Sequence, residues 1–144
     1  MKIQKKTFYN SILGFFVKDG KRGKAKNLLD ETFAIVRKKT KRSLSVTMTL
    51  FFFRLKTLVE VKKLSTRKRS YSVPFIISSK RRVYLIFKWL KSAVVSDKRK
   101  IALSKKLSEE ILKVVENNPS IALDSKKQNF TQASKNRSNL YYRW

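Results

Sequence analysis

The sequence predicts a mainly α-helical domain from which a single β-hairpin projects. Three observations carry this. Apolar residues recur three and four apart in five stretches, the period of a helix buried along one side. Residues 58–77 instead hold two runs of β-branched and aromatic residues split by a cationic segment, the pattern of a hairpin. Only 3 Gly and 2 Pro occur in 144 residues, so connections are short and no flexible linker divides the chain. A single domain over 1–144 follows, and at this length folding buries roughly 68–70% of the unfolded surface, enough for a core.

The elements follow in order. Over 8–18, Phe8, Ile12, Phe15 and Phe16 form a helical stripe that stops at Gly20. Over 22–39, Ala25, Leu28, Leu29, Thr32, Phe33 and Val36 form a wider stripe, and Arg37, Lys38 and Lys39 in its last turn suit the negative end of the helix dipole. Residues 43–56 read both ways. Leu44, Val46, Met48 and Leu50 alternate with Ser45, Thr47 and Thr49, while Leu44, Met48, Phe51, Phe52 and Leu55 fit a helix; the alternation alone favours a strand. In the hairpin, Leu58–Val61 form one arm and Tyr71–Ile77 the other. Pro74 cannot donate to a ladder, so its strand is an edge or ends there. Over 80–95, Val83, Ile86, Phe87, Trp89, Leu90, Ala93 and Val94 make a helix, with Trp89 read as core in preference to a stacking platform. Over 98–116, Ile101, Leu103, Leu107, Ile111, Val114 and Val115 make another, with Ser96 or Asp97 as its cap and Asn117-Asn118-Pro119 as its stop. Residues 124–144 form a polar, basic helix and tail capped by Asp124 or Ser125. Its sparse stripe of Phe130, Ala133 and Leu140 keeps it at the surface.

Composition limits function sharply. There is no Cys and no His, which removes disulfides, thiolate nucleophiles, the usual near-neutral acid–base group and the commonest metal ligands. Of the 9 carboxylates, only Asp30-Glu31 and Glu109-Glu110 are adjacent, and helical neighbours point about 100° apart, so neither pair converges on one atom. Enzyme chemistry, a cofactor and a metal are therefore not expected. No run of 18 apolar residues occurs, so no transmembrane helix is expected. The basic start, Met1-Lys2-Ile3-Gln4-Lys5-Lys6, lacks the small-residue cleavage pattern of a signal peptide.

Charge points to the partner. Lys and Arg total 36 against 9 Asp and Glu, a net +27. A charge of this size resists folding by self-repulsion, so a polyanion should complete the protein, and nucleic acid gains from counterion release at each neutralised phosphate. The candidate contacts are Lys21, Arg22 and Lys24 at the first turn, Lys62, Lys63, Arg67, Lys68 and Arg69 on the hairpin, Lys80, Arg81 and Arg82 at the next helix start, and Arg137, Tyr141, Arg143 and Trp144 at the C-terminus. Lys80-Arg81-Arg82 opposes the dipole of its own helix, a conflict that an external anion relieves. The end, Tyr141-Tyr142-Arg143-Trp144, combines rings that stack on unpaired bases with a guanidinium that pairs with phosphate. An alternative use of Trp144 is to fold back onto the core. For the hairpin tip, the alternative is a solvated turn.

These features, in this order, make the chain similar to the family of small-ribosomal-subunit protein seven. The resemblance covers roughly 8–144 and rests on Val17-Lys18-Asp19-Gly20-Lys21-Arg22 between the first two helices, Val59-Glu60-Val61-Lys62 and Tyr71-Ser72-Val73-Pro74 in the hairpin, and Arg81-Arg82 followed by Trp89. It is completed by Ala102-Leu103, Leu107-Ser108-Glu109, Asn136-Arg137 and the closing Tyr142-Arg143-Trp144. It implies a bundle of six helices with the hairpin between helices three and four, which makes 43–56 a helix against its alternation. It also implies a structural, rRNA-binding ribosomal protein that contacts the 3′ major domain of small-subunit rRNA and organises the subunit head. The hairpin would lie near the exit-site tRNA and mRNA path, with other head proteins as neighbours. Departures from the family pattern are a nearly absent basic N-terminal arm, Arg67 and Lys68 in place of the glycine pair at the hairpin tip, and Leu64 and Ser65 in place of a basic pair. The Lys, Phe, Tyr, Ile, Asn and Ser bias of an AT-rich gene, with no presequence recognised, favours an organelle-encoded member, the mitochondrion ahead of the plastid. A non-specific organellar nucleic-acid packaging protein fits the composition equally but not the ordered motifs, and a cationic membrane-surface protein is the third reading.

Overall fold

A computed structural model describes residues 5–65 and 67–142, with side chains from residue 9 onward in the first helix. The order is α1 (Lys5–Phe16), α2 (Arg22–Thr40), α3 (Leu44–Leu55), β1 (Val59–Ser65), β2 (Ser70–Ile76), α4 (Ser79–Ser96), α5 (Leu103–Glu116), α6 (Ile121–Lys135) and a final 3-10 turn, Arg137–Tyr142. Among the described residues, six α-helices and one antiparallel two-stranded hairpin match the expected mainly α bundle.

α1 and α2 form because each closes one side on the core. Ile12 and Leu13 are buried, and on α2 Ala25, Leu29, Thr32 and Val36 follow at helical spacing. The turn between them places Asp19 at φ 52° and Gly20 at φ 71°. Two successive left-handed residues reverse the chain in minimal length, and Gly and Asp are among the residues that adopt this region at least cost. α2 ends on Lys41 in the same region, its N–H bonded to the Arg37 carbonyl.

α3 is the helix that the family resemblance implies for 43–56, against the alternation that by itself favours a strand. The Ser43 hydroxyl caps the helix by accepting from the Val46 N–H. Phe51 and Leu55 have no exposed surface and Met48 only 7%, whereas Val46, a member of the alternating set, is 51% exposed. The β-branched threonines that mimic a strand are satisfied inside the helix. Thr47 and Thr49 donate to the carbonyls of Ser43 and Ser45, four residues back. Packing on Phe51 and Leu55 therefore outweighs a propensity that spans only about 1 kcal/mol.

In the hairpin, Val59 faces Ile76, Val61 faces Pro74 and Ser65 faces Ser70. β1 runs four residues past the expected arm, so Lys62 and Lys63 are strand residues opposite Val73 and Ser72 and the connection is only residues 66–69. Pro74 does not end its strand; with two strands, each is an edge. α4 buries Leu85, Ile86, Phe87, Leu90, Ala93 and Val94, with Trp89 packed at the margin of the same core.

Two helix starts differ from expectation. α5 begins at Leu103 with Ala102 before it and no side-chain cap. Asp97 instead ends α4 and gathers the Arg99 N–H and guanidinium, holding 98–102 outside either helix. α6 begins at Ile121, ahead of Asp124 and Ser125, because the Ser120 hydroxyl accepts from the Leu123 N–H and donates to the buried Glu110 carboxylate. α6 packs on α4 and β1 through Ala122 and Ala133, and between them its inner stripe is polar. Lys126 donates to the Arg54 carbonyl at the end of α3, and Asn129 donates to the Val59 carbonyl at the foot of the hairpin, 2.7 Å away.

Candidate nucleic-acid interface

The carboxylates are unevenly placed. None occurs between Glu60 and Asp97, a span holding Lys62, Lys63, Arg67, Lys68, Arg69, Lys80, Arg81, Arg82, Lys88 and Lys91, and none follows Asp124. Where α4 runs into α5 and α6, Asp97, Glu109, Glu110 and Asp124 line one recess. There Arg99 bridges Asp97 at 2.6 Å and Glu109 at 2.8 Å, and this pairing holds the Asp97 carboxyl far below its ordinary range. In that recess Asp97, Glu109 and Glu110 are in ion pairs, whereas over residues 60–96 ten cations stand against Glu60 alone.

At the hairpin pole the contacts join one element to the next. Arg81 makes a two-point bond to Glu60, Nε to Oε2 at 2.9 Å and Nη2 to Oε1 at 2.7 Å, tying the start of α4 to β1. Its guanidinium also lies 4.7 Å from the Tyr84 ring centre. Tyr84 meets Phe15 edge-on at 5.6 Å, so α1, α4 and the hairpin foot are linked by direct contacts. Just beyond Phe15 lies the α1–α2 turn, where Lys21, Arg22 and Lys24 are exposed and the first turn of α2 carries neither an acid nor a side-chain cap. Three exposed cations at one helix start suit a phosphate.

On the hairpin Lys62, Lys63, Arg67, Lys68 and Arg69 are exposed, with the Lys62 ammonium 5.3 Å from the Phe75 ring centre. The final 3-10 turn packs along β2. Asn139 donates to the Ser72 carbonyl at 3.0 Å, and the Tyr142 ring stacks on Tyr71 at 4.3 Å with 20° between planes. A hydrogen bond with Tyr71 pushes the Tyr142 hydroxyl pKa up, against the opposing pull of the Arg69 charge. Tyr141 is 95% exposed and Arg137 is exposed. The expected contacts at Arg143 and Trp144 lie outside the described residues.

The structure thus joins the α4 start to the foot of the hairpin and the C-terminal turn to the tip half of β2, and links the end of α1 to α4 through Phe15 and Tyr84. It changes the reading of two residues. The dipole conflict at Lys80-Arg81-Arg82 is met from within the chain, because Ser78 caps α4 and Glu60 neutralises Arg81. Arg82 is partly buried, with Nη2 donating to the Ile77 carbonyl at 3.4 Å and Nε buried without a partner. Lys80 and Arg81 are both exposed, and of the two Arg81 is the one engaged by Glu60. Other cations cap helix C-termini: Lys126 on the α3 end, Arg54 on the Val114 carbonyl of α5 and Lys106 on the Asp97 carbonyl after α4. Burial pushes the Lys126 pKa down. Sequence reasoning also passed over Tyr71, whose ring neighbour, Tyr142, is some seventy positions away and leaves no local signal.

Glu60 is the weakest point of this pole. Its bond to Arg81 holds the carboxyl below its usual 4.5. A lowered folded-state pKa adds stability above the unfolded value, and that stability is lost as pH falls through the folded value. Glu60→Gln is therefore expected to destabilise by about 0.2–1 kcal/mol at pH 7, the range for a part-exposed pair. The difference should disappear at acid pH. Urea melts of both chains across pH check this, and a difference that stays constant into acid would assign the loss to packing.

The sequence as a whole is similar to known proteins. The model of the family described as ribosomal protein S7p/S5e matches residues 2–137. Small ribosomal subunit protein uS7 of Thermotoga petrophila is 29% identical over 126 residues, covering 88% of this chain and 80% of that one. The protein of the same name from Desulfatibacillum aliphaticivorans is 28% identical over 141 residues, 94% of this chain and 89% of that one. Small ribosomal subunit protein uS7m of Reclinomonas americana is 26% identical over 146 aligned residues, 99% of this chain and 91% of that one. The family match spans every element from α1 to α6, hairpin included, and the chain belongs to the ribosomal protein S7p/S5e family.

Proposed function

We propose that this chain is a structural constituent of the small ribosomal subunit, that it binds the 3′ major domain of small-subunit rRNA and that it organises the subunit head. The observation carrying this is the hairpin pole, where Glu60 is already held by Arg81 and exposed cations stand on the hairpin tip, the α4 start and the C-terminal turn, in a chain whose family membership is established. The contacts are to Lys21, Arg22, Lys24, Lys62, Lys63, Arg67, Lys68, Arg69, Lys80 and Arg137, with Arg81 and Arg82 fixing the hairpin foot as much as meeting phosphate. The mechanism is charge neutralisation with shape readout, and no catalytic step is involved. The projecting hairpin reaches toward the exit-site tRNA and mRNA path, and other head proteins are neighbours. The similarity to uS7m of Reclinomonas americana and the residue bias of an AT-rich gene favour a mitochondrial ribosome, with a plastid second. Among the described residues no helix is long and apolar enough to cross a membrane.

The test is binding of the purified chain to its own organelle's 3′ domain rRNA against an unrelated structured RNA of equal length. The expected result is a preference for the rRNA that persists at near-physiological salt. Equal binding that collapses with salt would instead support non-specific packaging.

A further inference from the structure

We infer that Tyr141, held by the Tyr71–Tyr142 stack, is a platform for an unpaired base, so that β2 and the C-terminal turn together form a single-stranded RNA site. This rests on the proposal that the chain binds RNA, and it adds the strand class and the residues that select it.

The argument starts from cost. A tyrosine left 95% exposed buries almost nothing and does not serve the fold. Yet the backbone carrying it is fixed. Tyr142 next to it stacks on Tyr71, and two residues earlier Asn139 donates to the Ser72 carbonyl. A turn pinned at both sides of an open ring is preorganised, so stacking on that ring orders little more chain. The surroundings are cationic: the Arg69 charge acts on Tyr142, Arg137 is exposed in the same turn, and no carboxylate follows Asp124. Aromatic rings bind bases through their faces, and a duplex conceals those faces between base pairs, whereas a single strand offers them. The chemistry therefore selects unpaired nucleotides: a ring for the base and guanidinium groups for the flanking phosphates. Tyr71 and Tyr142 are positioning residues, and Tyr141 is the contact.

The test uses the full chain and a fluorescent ten-nucleotide oligouridine, with the same oligomer carrying abasic sites and an RNA duplex of equal length as comparisons. Tyr141→Ala is expected to weaken oligouridine binding roughly 5- to 150-fold, the range for losing one stacked base. Melting temperature, duplex binding and the salt slope should not change, since no charge is lost. Tyr71→Leu is expected to produce a similar loss, and adding it to Tyr141→Ala should weaken binding little further, because both disable one platform. Tyr71→Phe keeps the stack and should retain binding. The inference fails if Tyr141→Ala binds oligouridine as the parent does, if the abasic oligomer binds equally well, or if Tyr71→Leu and Tyr141→Ala are additive. It also fails, in favour of a protein partner for this ring, if Tyr141→Ala leaves every RNA unaffected but is excluded from assembled subunits. Loss of the rRNA preference with the Tyr141 effect intact would overturn the 3′ domain reading and leave the platform standing.

Discussion

Raising the salt from 50 to 200 mM is expected to weaken binding to the 3′ domain RNA by about 10³–10⁵-fold, the loss that accompanies roughly 6–10 phosphate contacts. The candidate cations are more numerous than that, and the structure says which to count. Arg81 is already engaged by Glu60, and Lys126, Arg54 and Lys106 cap helix ends, so none of these releases a full counterion on binding. Arg67 and Lys68 are exposed at the hairpin tip. Arg67→Ala with Lys68→Ala should lower the slope of log K against log salt by about 1.4–1.8, two contacts' worth, and leave the melting curve in place. Fluorescence anisotropy at four or five salt concentrations reads both numbers. An unchanged slope would remove the tip from the interface and move the site to the body of the bundle.

How much of this was legible in the sequence depends on what each element packs against. α2, α4 and the body of α5 announce themselves, because Leu29, Phe87 and Ile111 bury against apolar neighbours and the stripe shows the period. α3 was concealed by threonines that bond to their own helix, so the alternation of Thr47 and Thr49 carried no information about sheet pairing; only the family resemblance put a helix there. The start of α6 was concealed in the opposite way. Its inner face is Lys126 and Asn129 reaching for carbonyls on α3 and β1, contacts of long sequence separation that no window can show. The cap at Ser120 was likewise missed because its second partner is Glu110, a helix away. For the candidate interface, charge offered candidates but not their division of labour. Arg81 and Lys80 are neighbours of equal charge, and only the register that sets Glu60 beside the α4 start separates a structural cation from a free one.

Phe51→Ala is expected to cost about 3–5 kcal/mol, the largest single effect on stability anticipated here. Phe51 has no exposed surface. Its ring meets Phe52 edge-on at 5.4 Å, and Phe52 in turn meets Phe87 of α4 at 5.6 Å, so truncation opens a hole where α3 joins the centre of the bundle. A domain of ordinary stability holds only about 5–15 kcal/mol in total, and a net charge of +27 draws on that further. The free variant should therefore be largely unfolded at low salt. Screening shortens the reach of the self-repulsion, so added salt should raise the melting temperature of the free variant while it weakens RNA binding. RNA acts in the other direction by mass action: at about 100 times the dissociation constant it contributes roughly 2.7 kcal/mol, and at about 1,000 times roughly 4.1 kcal/mol, close to what the truncation removes. Far-UV circular dichroism of the variant at low salt, without and with 3′ domain RNA, should show helix returning as RNA is added. If the variant melts where the parent does, Phe51 is not the keystone its burial indicates. If helix stays lost in saturating RNA, binding does not stabilise this core, and the polyanion completes the surface without completing the fold.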